Sequence, residues 1–292
     1  MESADHSASP SLINPLTRYA DFKFDFPPNT YPKQVLQTNF RYPPDCGETS
    51  YVGHGRLKGR HALVTGGDSG IGRAVEEPDA EDLAQFLAKD DKVKDYLIRI
   101  PGDLRSKFFC YELVQKAKEK LGGLDLIVNN AGVTGGKVGN FDTSDPDDWD
   151  HVFKVNVYAG LHITQAAAPI LPPGSSIIFT VSSAGLSPQP GTVAYSASKG
   201  ALRNFVNGAA AELIKKGIRV NGVAPGVTYT PLMVVTGFNE KDLDGLVAQL
   251  EPQGRVQQPA ELAPVYVTLA DGQSSYVCGS VYGTHGGILA AY

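Results

Sequence analysis

Cysteine is scarce: Cys46, Cys110 and Cys278 are the only three in 292 residues. They are too few for a disulfide framework and too scattered for a zinc ligand set, so they read as small, partly buried side chains in a chain suited to a reducing compartment, with no metal. Basic tracts are missing too. The 26 Lys and Arg are dispersed among 31 Asp and Glu, for a net charge of −5, and no basic run interleaves with aromatics. That excludes nucleic acid as a partner and favours small-molecule chemistry. No uninterrupted apolar run is long enough to span a bilayer, and the opening MESADHSASPSL has neither a basic n-region nor an apolar h-region. The expectation is a cytoplasmic protein with no membrane partner.

What is present divides the chain at about residue 55. Residues 1–55 carry FKFDFPP, TYPKQ and FRYPPDCG, which break any sustained period and mark an arm, expected to be disordered over its first dozen residues. Phe22, Phe24, Phe26, Tyr31, Phe40 and Tyr42 are too many aromatics for a solvated tail, so part of the arm is expected to pack on the core or on a neighbouring subunit. Residues 56–292 suit one large α/β domain. Short apolar runs ending in turn residues (HALVTGG, YLIRIPGDL, LDLIVNNAG, SSIIFTVS, IRVNGVAPG, SSYVCGSVYGTHGG) alternate with helical stretches, the pattern of a parallel sheet covered on both faces.

The helices carry their own signals. Ser106 and Gly122 bracket FFCYELVQKAKEKLG, and SDPDD with Pro146 opens one long helix through KVNVYAGLHITQAAAPIL. PAELAPVYVTLA reads as a further amphipathic helix. Thr230 precedes Pro231 as a helix cap would, and Met233, Val234, Val235 and Phe238 give the segment from Thr228 to about Gln257 the look of an apolar lid.

The chemistry centres on Ser182 to Lys199. Tyr195 and Lys199, four apart on a helix predicted from about Ala194 to Lys216, share a face. An ammonium there is expected to lower the phenol pKa from about 10 toward working pH, suiting it to general acid/base catalysis. Ser182, at the end of SIIFTVS, would orient the same substrate oxygen. Alone, this spacing also fits a helix-surface pair. Upstream, TGGDSGIG follows an apolar strand and opens a helix, so Gly66, Gly70 and Gly72 read as the glycines of a dinucleotide turn.

Together, TGGDSGIG at Thr65–Gly72, NNAG at Asn129–Gly132, Asn156 in KVNVYAG, Ser182, YSASK at Tyr195–Lys199, and Pro225–Gly226 resemble the classical short-chain dehydrogenases/reductases over about Arg56 to Gly287. The leader PDCGETSYVGHGRLKGR is similar to the glucose/ribitol-dehydrogenase-like, bacterial aldehyde-reductase-like branch. The resemblance implies a doubly wound Rossmann-like domain, hydride exchange between NAD(P)(H) and a small-molecule carbonyl or alcohol, and a homo-oligomer, tetramer or dimer. It implies Tyr195 as acid/base, Lys199 as its tuning partner and ribose ligand, Ser182 as the substrate-oxygen holder and Asn156 as support for a water-linked relay in a locally widened helix. Cofactor contacts are implied for Thr65, Gly66, Ser69, Gly70, Ile71, Gly72, Asp103, Asn129, Tyr195, Lys199, Val227 and Thr230, with a slight preference for NADP(H) over NAD(H).

One segment departs from the family. After Gly72 only Arg73, Ala74 and Val75 precede Glu76, Glu77 and Pro78, and roughly 15–20 residues are missing, about a helix plus a strand of a βαβ unit. The acidic or basic residue that reads the adenosine ribose goes with them, so NAD and NADP are not distinguished. A three-residue helix would bury almost no apolar face. A helix at Asp79–Lys89 and a strand at Tyr96–Pro101 placed beside the first strand would complete the crossover. The alternative is a catalytically impaired binding or interaction protein.

Overall fold

The apolar runs form strands because their β-branched and aromatic residues alternate between two buried faces. The computed structural model describes residues 13–24, 27, 37–47, 50–67, 69–76, 97–135, 141–236, 245 and 252–287. Strands β1 (Ala62–Val64), β2 (Leu126–Asn129), β3 (Ser176–Thr180), β4 (Arg219–Pro225) and β5 (Val281–Thr284) lie side by side in chain order. All are parallel, with Leu63 opposite Ile127, Ile127 opposite Ile177, Ile177 opposite Val220 and Val223 opposite Tyr282.

Seven α-helices are described: α1 (Gly70–Glu76), α2 (Lys107–Leu121), α3 (Pro146–Phe153), α4 (Ala159–Ala167), α5 (Val193–Leu213), α6 (Pro231–Val235) and α7 (Ala263–Ala270). Leu63, Ile127, Ile177, Phe179 and Val220 form one core with α2, α4 and α5, while Leu126, Val128, Ile178 and Val223 form another with α7 and with Ile71 and Val75 of α1. The two-residue strand period thus serves two layers of helices, giving a Rossmann-type α/β architecture. Among the described residues no helix is long and apolar enough to cross a membrane.

Local chemistry sets the boundaries. Ser106 accepts the Phe109 N–H at 3.2 Å to start α2, and Asp145 accepts the Asp147 N–H at 2.9 Å ahead of Pro146 to start α3. Between α3 and α4 the backbone stays helical but widens into a π turn, Lys154–Tyr158, where the Ala159 N–H reaches Lys154 O. Arg219, buried at the start of β4, donates to the Leu269 and Asp271 carbonyls at 2.8 and 3.1 Å and so satisfies the C-terminus of α7.

The first crossover differs from expectation. Helix α1 spans seven residues, not three, because the glycine turn itself supplies its first turn. It buries Ala74 and packs Ile71 and Val75 toward α7. The expected helix at Asp79–Lys89 lies outside the described residues, as does Tyr96. Leu97–Pro101 is described and is not a strand: Ile100 packs into the α2-side core without a ladder partner, and Pro101 has no N–H to donate. Among the described residues β1 pairs with β2 alone.

The arm packs on its own chain. Phe22, Phe24 and Phe40 set their rings edge-on to Tyr229 at 5.7, 5.0 and 5.3 Å, and the Tyr229 hydroxyl donates to Tyr42 O at 3.1 Å. Asp45 ties in further, its N–H donating to Gln258 Oε1 and its carbonyl accepting the Ala260 N–H, both at 3.0 Å. Phe26 and Tyr31 lie outside the described residues.

Candidate active site

Beyond β3 the chain runs through Val181 to Ser182, whose hydroxyl accepts the Ala184 N–H at 3.1 Å and holds the short turn Ser183–Gly185. That turn lies on α5 so closely that a Cβ on Gly185 would sit 2.7 Å from the Lys199 carbonyl carbon. The contact brings Ser182 to the first turns of α5, where its hydroxyl favours the ionised form of the Tyr195 phenol. Lys199, one turn further on, is buried with its Nζ 2.7 Å from Thr180 O and 5.6 Å from the Tyr195 ring centroid.

The electrostatics reverse the expectation for Tyr195. Burial pushes its pKa up, opposed only by the Ser182 hydroxyl, because Lys199 directs its amine to a backbone carbonyl rather than to the phenol oxygen. Burial also pulls the Lys199 pKa down to about 8.

Asn156 sits in the π turn and its side chain braces three elements. Its Nδ2 donates to Val133 O and Ser198 Oγ, both at 2.9 Å, and its Oδ1 accepts the Val133 N–H at 2.8 Å. Ser198 Oγ in turn donates to Tyr195 O at 2.6 Å. Asn156 therefore couples the segment after β2 to the backbone of the residue expected to carry the proton. Ser198 was not singled out in the sequence, although its place beside Lys199 in YSASK was a signal.

At the ends of β1 and β2, Thr65 Oγ1 accepts the Asn130 and Ala131 N–H groups at 3.0 and 3.1 Å, so its hydroxyl braces the two turns. Gly66 and Gly70 have φ of +66° and +54°, and Gly72 lies so near the first turn that a Cβ would fall 2.2 Å from Gly66 O. Ser69 and Ile71 lie in the same turn, Ile71 with its side chain toward α7. Asn129 is buried with neither side-chain atom partnered, whereas Asn130 donates to Thr65 O and Gly66 O at 3.2 and 3.3 Å. The Asn130 Oδ1 accepts from Thr180 Oγ1 at 3.1 Å, and Thr180 Oγ1 lies 2.6 Å from the Tyr266 hydroxyl on α7. Thr180 and Tyr266 were also missed, since nothing local to either marks a partner on another element.

A model of the family described as enoyl-(acyl carrier protein) reductase matches residues 69–288. The chain is 40% identical over 301 residues to the uncharacterized oxidoreductase YhxD of Bacillus subtilis (strain 168), covering 96% of this chain and 99% of the relative. It is 36% identical to NADPH-dependent aldehyde reductase 1, chloroplastic, of Arabidopsis thaliana, covering 84% and 92%. A solved short-chain dehydrogenase/reductase, the glucose/ribitol dehydrogenase from Brucella melitensis, superposes with a TM-score of 0.69 at 29% identity, covering 80% of this chain and 97% of that one. The chain belongs to the short-chain dehydrogenase/reductase family. It is an NAD(P)-dependent oxidoreductase.

In this short-chain dehydrogenase/reductase two of the residues expected to meet the dinucleotide have polar groups to spare. Lys199 spends one donor on Thr180 O, which leaves donors for ribose hydroxyls, and the unpartnered Asn129 amide lies at the end of β2 near Gly160 of α4. The residues present therefore fit the group. Asp103, expected at the adenine ring, is held by Arg105 through contacts of 2.7–3.0 Å, and this partner keeps its pKa at about 2. Thr230 starts α6, and a Cβ on Gly70 would meet its Cγ2 at 2.9 Å. The Val227 carbonyl accepts the Gln257 N–H at 2.9 Å.

Of the expected apolar lid, residues 237–244 and 246–251 lie outside the described residues. Met233 and Val234 are buried in the cluster of Phe40, Tyr229 and Val256, with Val235, Phe22 and Phe24 packed against it. Their apolar surface docks the arm, and Phe238 lies outside the described residues.

Proposed function

We propose that this short-chain dehydrogenase/reductase interconverts a small-molecule carbonyl and the matching alcohol, working with NADP(H) by preference and with Ser182, Tyr195, Lys199 and Asn156 as its proton-handling set. The observation that carries the reading is the Ser182–Tyr195 hydroxyl pair, with Lys199 sealed one helical turn behind it. When bound, the dinucleotide supplies or accepts the hydride. In reduction the two hydroxyls hold the carbonyl oxygen, and Tyr195 gives its proton as negative charge develops there. The raised pKa keeps the phenol protonated at neutral pH, which suits donation. Lys199, titrating at about 8, exchanges protons in the working range and so restores the phenol. In oxidation the same transfers run backward.

The 36%-identical plant relative, an NADPH-dependent aldehyde reductase, supports both the carbonyl substrate and the cofactor preference. Because Met233 and Val234 are consumed by the arm, their apolarity gives no support to a hydrophobic substrate. Exposed Tyr276 and Tyr282, beside and on edge strand β5, favour a homo-oligomer.

Titration with NADPH and with NADH, followed by nicotinamide fluorescence, tests the reading. Saturable binding is expected, tighter for NADPH. Tyr195→Phe is expected to bind dinucleotide as the parent does while losing about 10²–10⁴-fold in carbonyl reduction. A folded protein that binds neither dinucleotide, or a Tyr195→Phe variant with parental turnover, would reject it.

A further inference from the structure

The arm does more than cover Tyr229. Gln37, in a short 3₁₀ turn at Gln37–Asn39, is only 8% exposed, and its Oε1 accepts the Gly70 N–H at 2.9 Å. Its Nε2 lies 3.3 Å from Cys46 Sγ, and the Cys46 thiol, fully buried, lies 3.5 Å from Gly70 O. Gln37 and Cys46 thus hold both backbone polar groups of one residue, the left-handed glycine at the head of α1. On its other side Gly70 has no room for a side chain, since a Cβ there would lie 2.9 Å from Cγ2 of Thr230, which follows the arm-packed Tyr229. The same stretch of arm therefore grips the glycine turn directly and the segment after β4 through Tyr229 and Gln258.

A loop that must present its backbone to a diphosphate binds best when it is held in the bound shape beforehand, because the cost of ordering it is then not taken from the binding energy. Helix α1 is short, seven residues, and packs on a strand that among the described residues is paired at one edge, so it gives the turn little support of its own. We propose that Gln37 is a positioning residue of the cofactor site, by which the N-terminal arm fixes the glycine turn in its dinucleotide-binding shape. This rests on the dinucleotide reading above.

The test is Gln37→Met in the full chain, which keeps the side chain's length and removes its acceptor for Gly70. The dissociation constant for NADPH is expected to rise roughly three- to tenfold, the range of one net hydrogen bond. The KM for dinucleotide should rise with it while kcat falls far less, a split that general destabilisation would not give. A folded Gln37→Met with unchanged NADPH affinity overturns the proposal. Hydrogen exchange on the parent covers the case in which the variant does not fold: NADPH is expected to slow exchange in residues 37–47 together with 69–76, and protection confined to 69–76 overturns it. If the parent itself bound no dinucleotide, the functional reading would fail; equal binding by parent and variant would remove only the role of Gln37.

Discussion

Lys199 is a cation sealed in the protein with a backbone carbonyl as its hydrogen-bond partner, and that has a measurable consequence at the residue scale. Burial lowers its pKa from 10.5 to about 8. Below pH 8 the folded and unfolded chains both carry the proton. Between about 8 and 10.5 the unfolded chain still holds a proton the folded chain has released, so folding gains stability as pH rises through that window. Lys199→Met removes this dependence. The stability of the parent relative to Lys199→Met, from urea unfolding at pH 7.5 and 9.5, is therefore expected to increase with pH; a difference that stays flat would show that the amine is not desolvated. The Lys199 amine does not bring the Tyr195 pKa down as their spacing suggested. Four residues apart is enough to share a face, but only the fold decides that the Thr180 carbonyl draws the amine aside.

At the scale of the element, the junction of β1 and α1 depends on contacts too close for any side chain. A Cβ on Gly72 would fall 2.2 Å from Gly66 O and 2.6 Å from Asn130 Nδ2, neither of them free to yield. Gly72→Ala is expected to cost about 1–3 kcal/mol by overpacking and to abolish dinucleotide binding as α1 is pushed off the turn; thermal unfolding together with an NADPH titration would detect both, and parental values would contradict it. Across the sheet, Tyr266 donates to Thr180, which donates to Asn130, which donates to Gly66, a chain from α7 to the glycine turn. Tyr266→Phe is expected to cost about 1 kcal/mol in urea unfolding, the net worth of one such bond; no loss would mean the chain carries no stability. The element boundaries were legible because they rest on neighbours in sequence: Ser106 with Phe109, Asp145 with Asp147, apolar runs with glycines. So were the positions of Ser182, Tyr195 and Lys199, set by a strand end and a helix start. Which of Asn129 and Asn130 does the bracing was not legible. The answer depends on Thr180 and Gly66, which come from two other elements.

For the whole molecule, the same distinction separates the middle of the sheet from its first edge. Strands β3 and β4 are buried along their length and paired on both sides. β1 has three residues, pairs with β2 alone among the described residues, and relies on side chains for its anchorage: Arg60 forms an ion pair with Asp125, whose other oxygen accepts the His61 N–H at 3.1 Å. The sequence pointed to this edge through its short first crossover, but not to what supports it, since the arm's grip on Tyr229 and Gly70 joins residues far apart in the chain. Local opening free energy falls where apolar contacts are few and backbone hydrogen bonds lie at an edge. Amide exchange in the dinucleotide-free protein should consequently be slowest in β3 and β4, reaching the global unfolding limit there, and faster in β1 and α1, where it should be governed by opening of the edge alone. Binding of NADPH should slow β1 and α1 while leaving β3 and β4 at their limit, apart from the common rise in global stability that any ligand of the folded state confers. Equal protection of all five strands would instead mean that β1 opens only with the whole molecule, and that its support is stronger than one paired edge, one ion pair and the arm can provide.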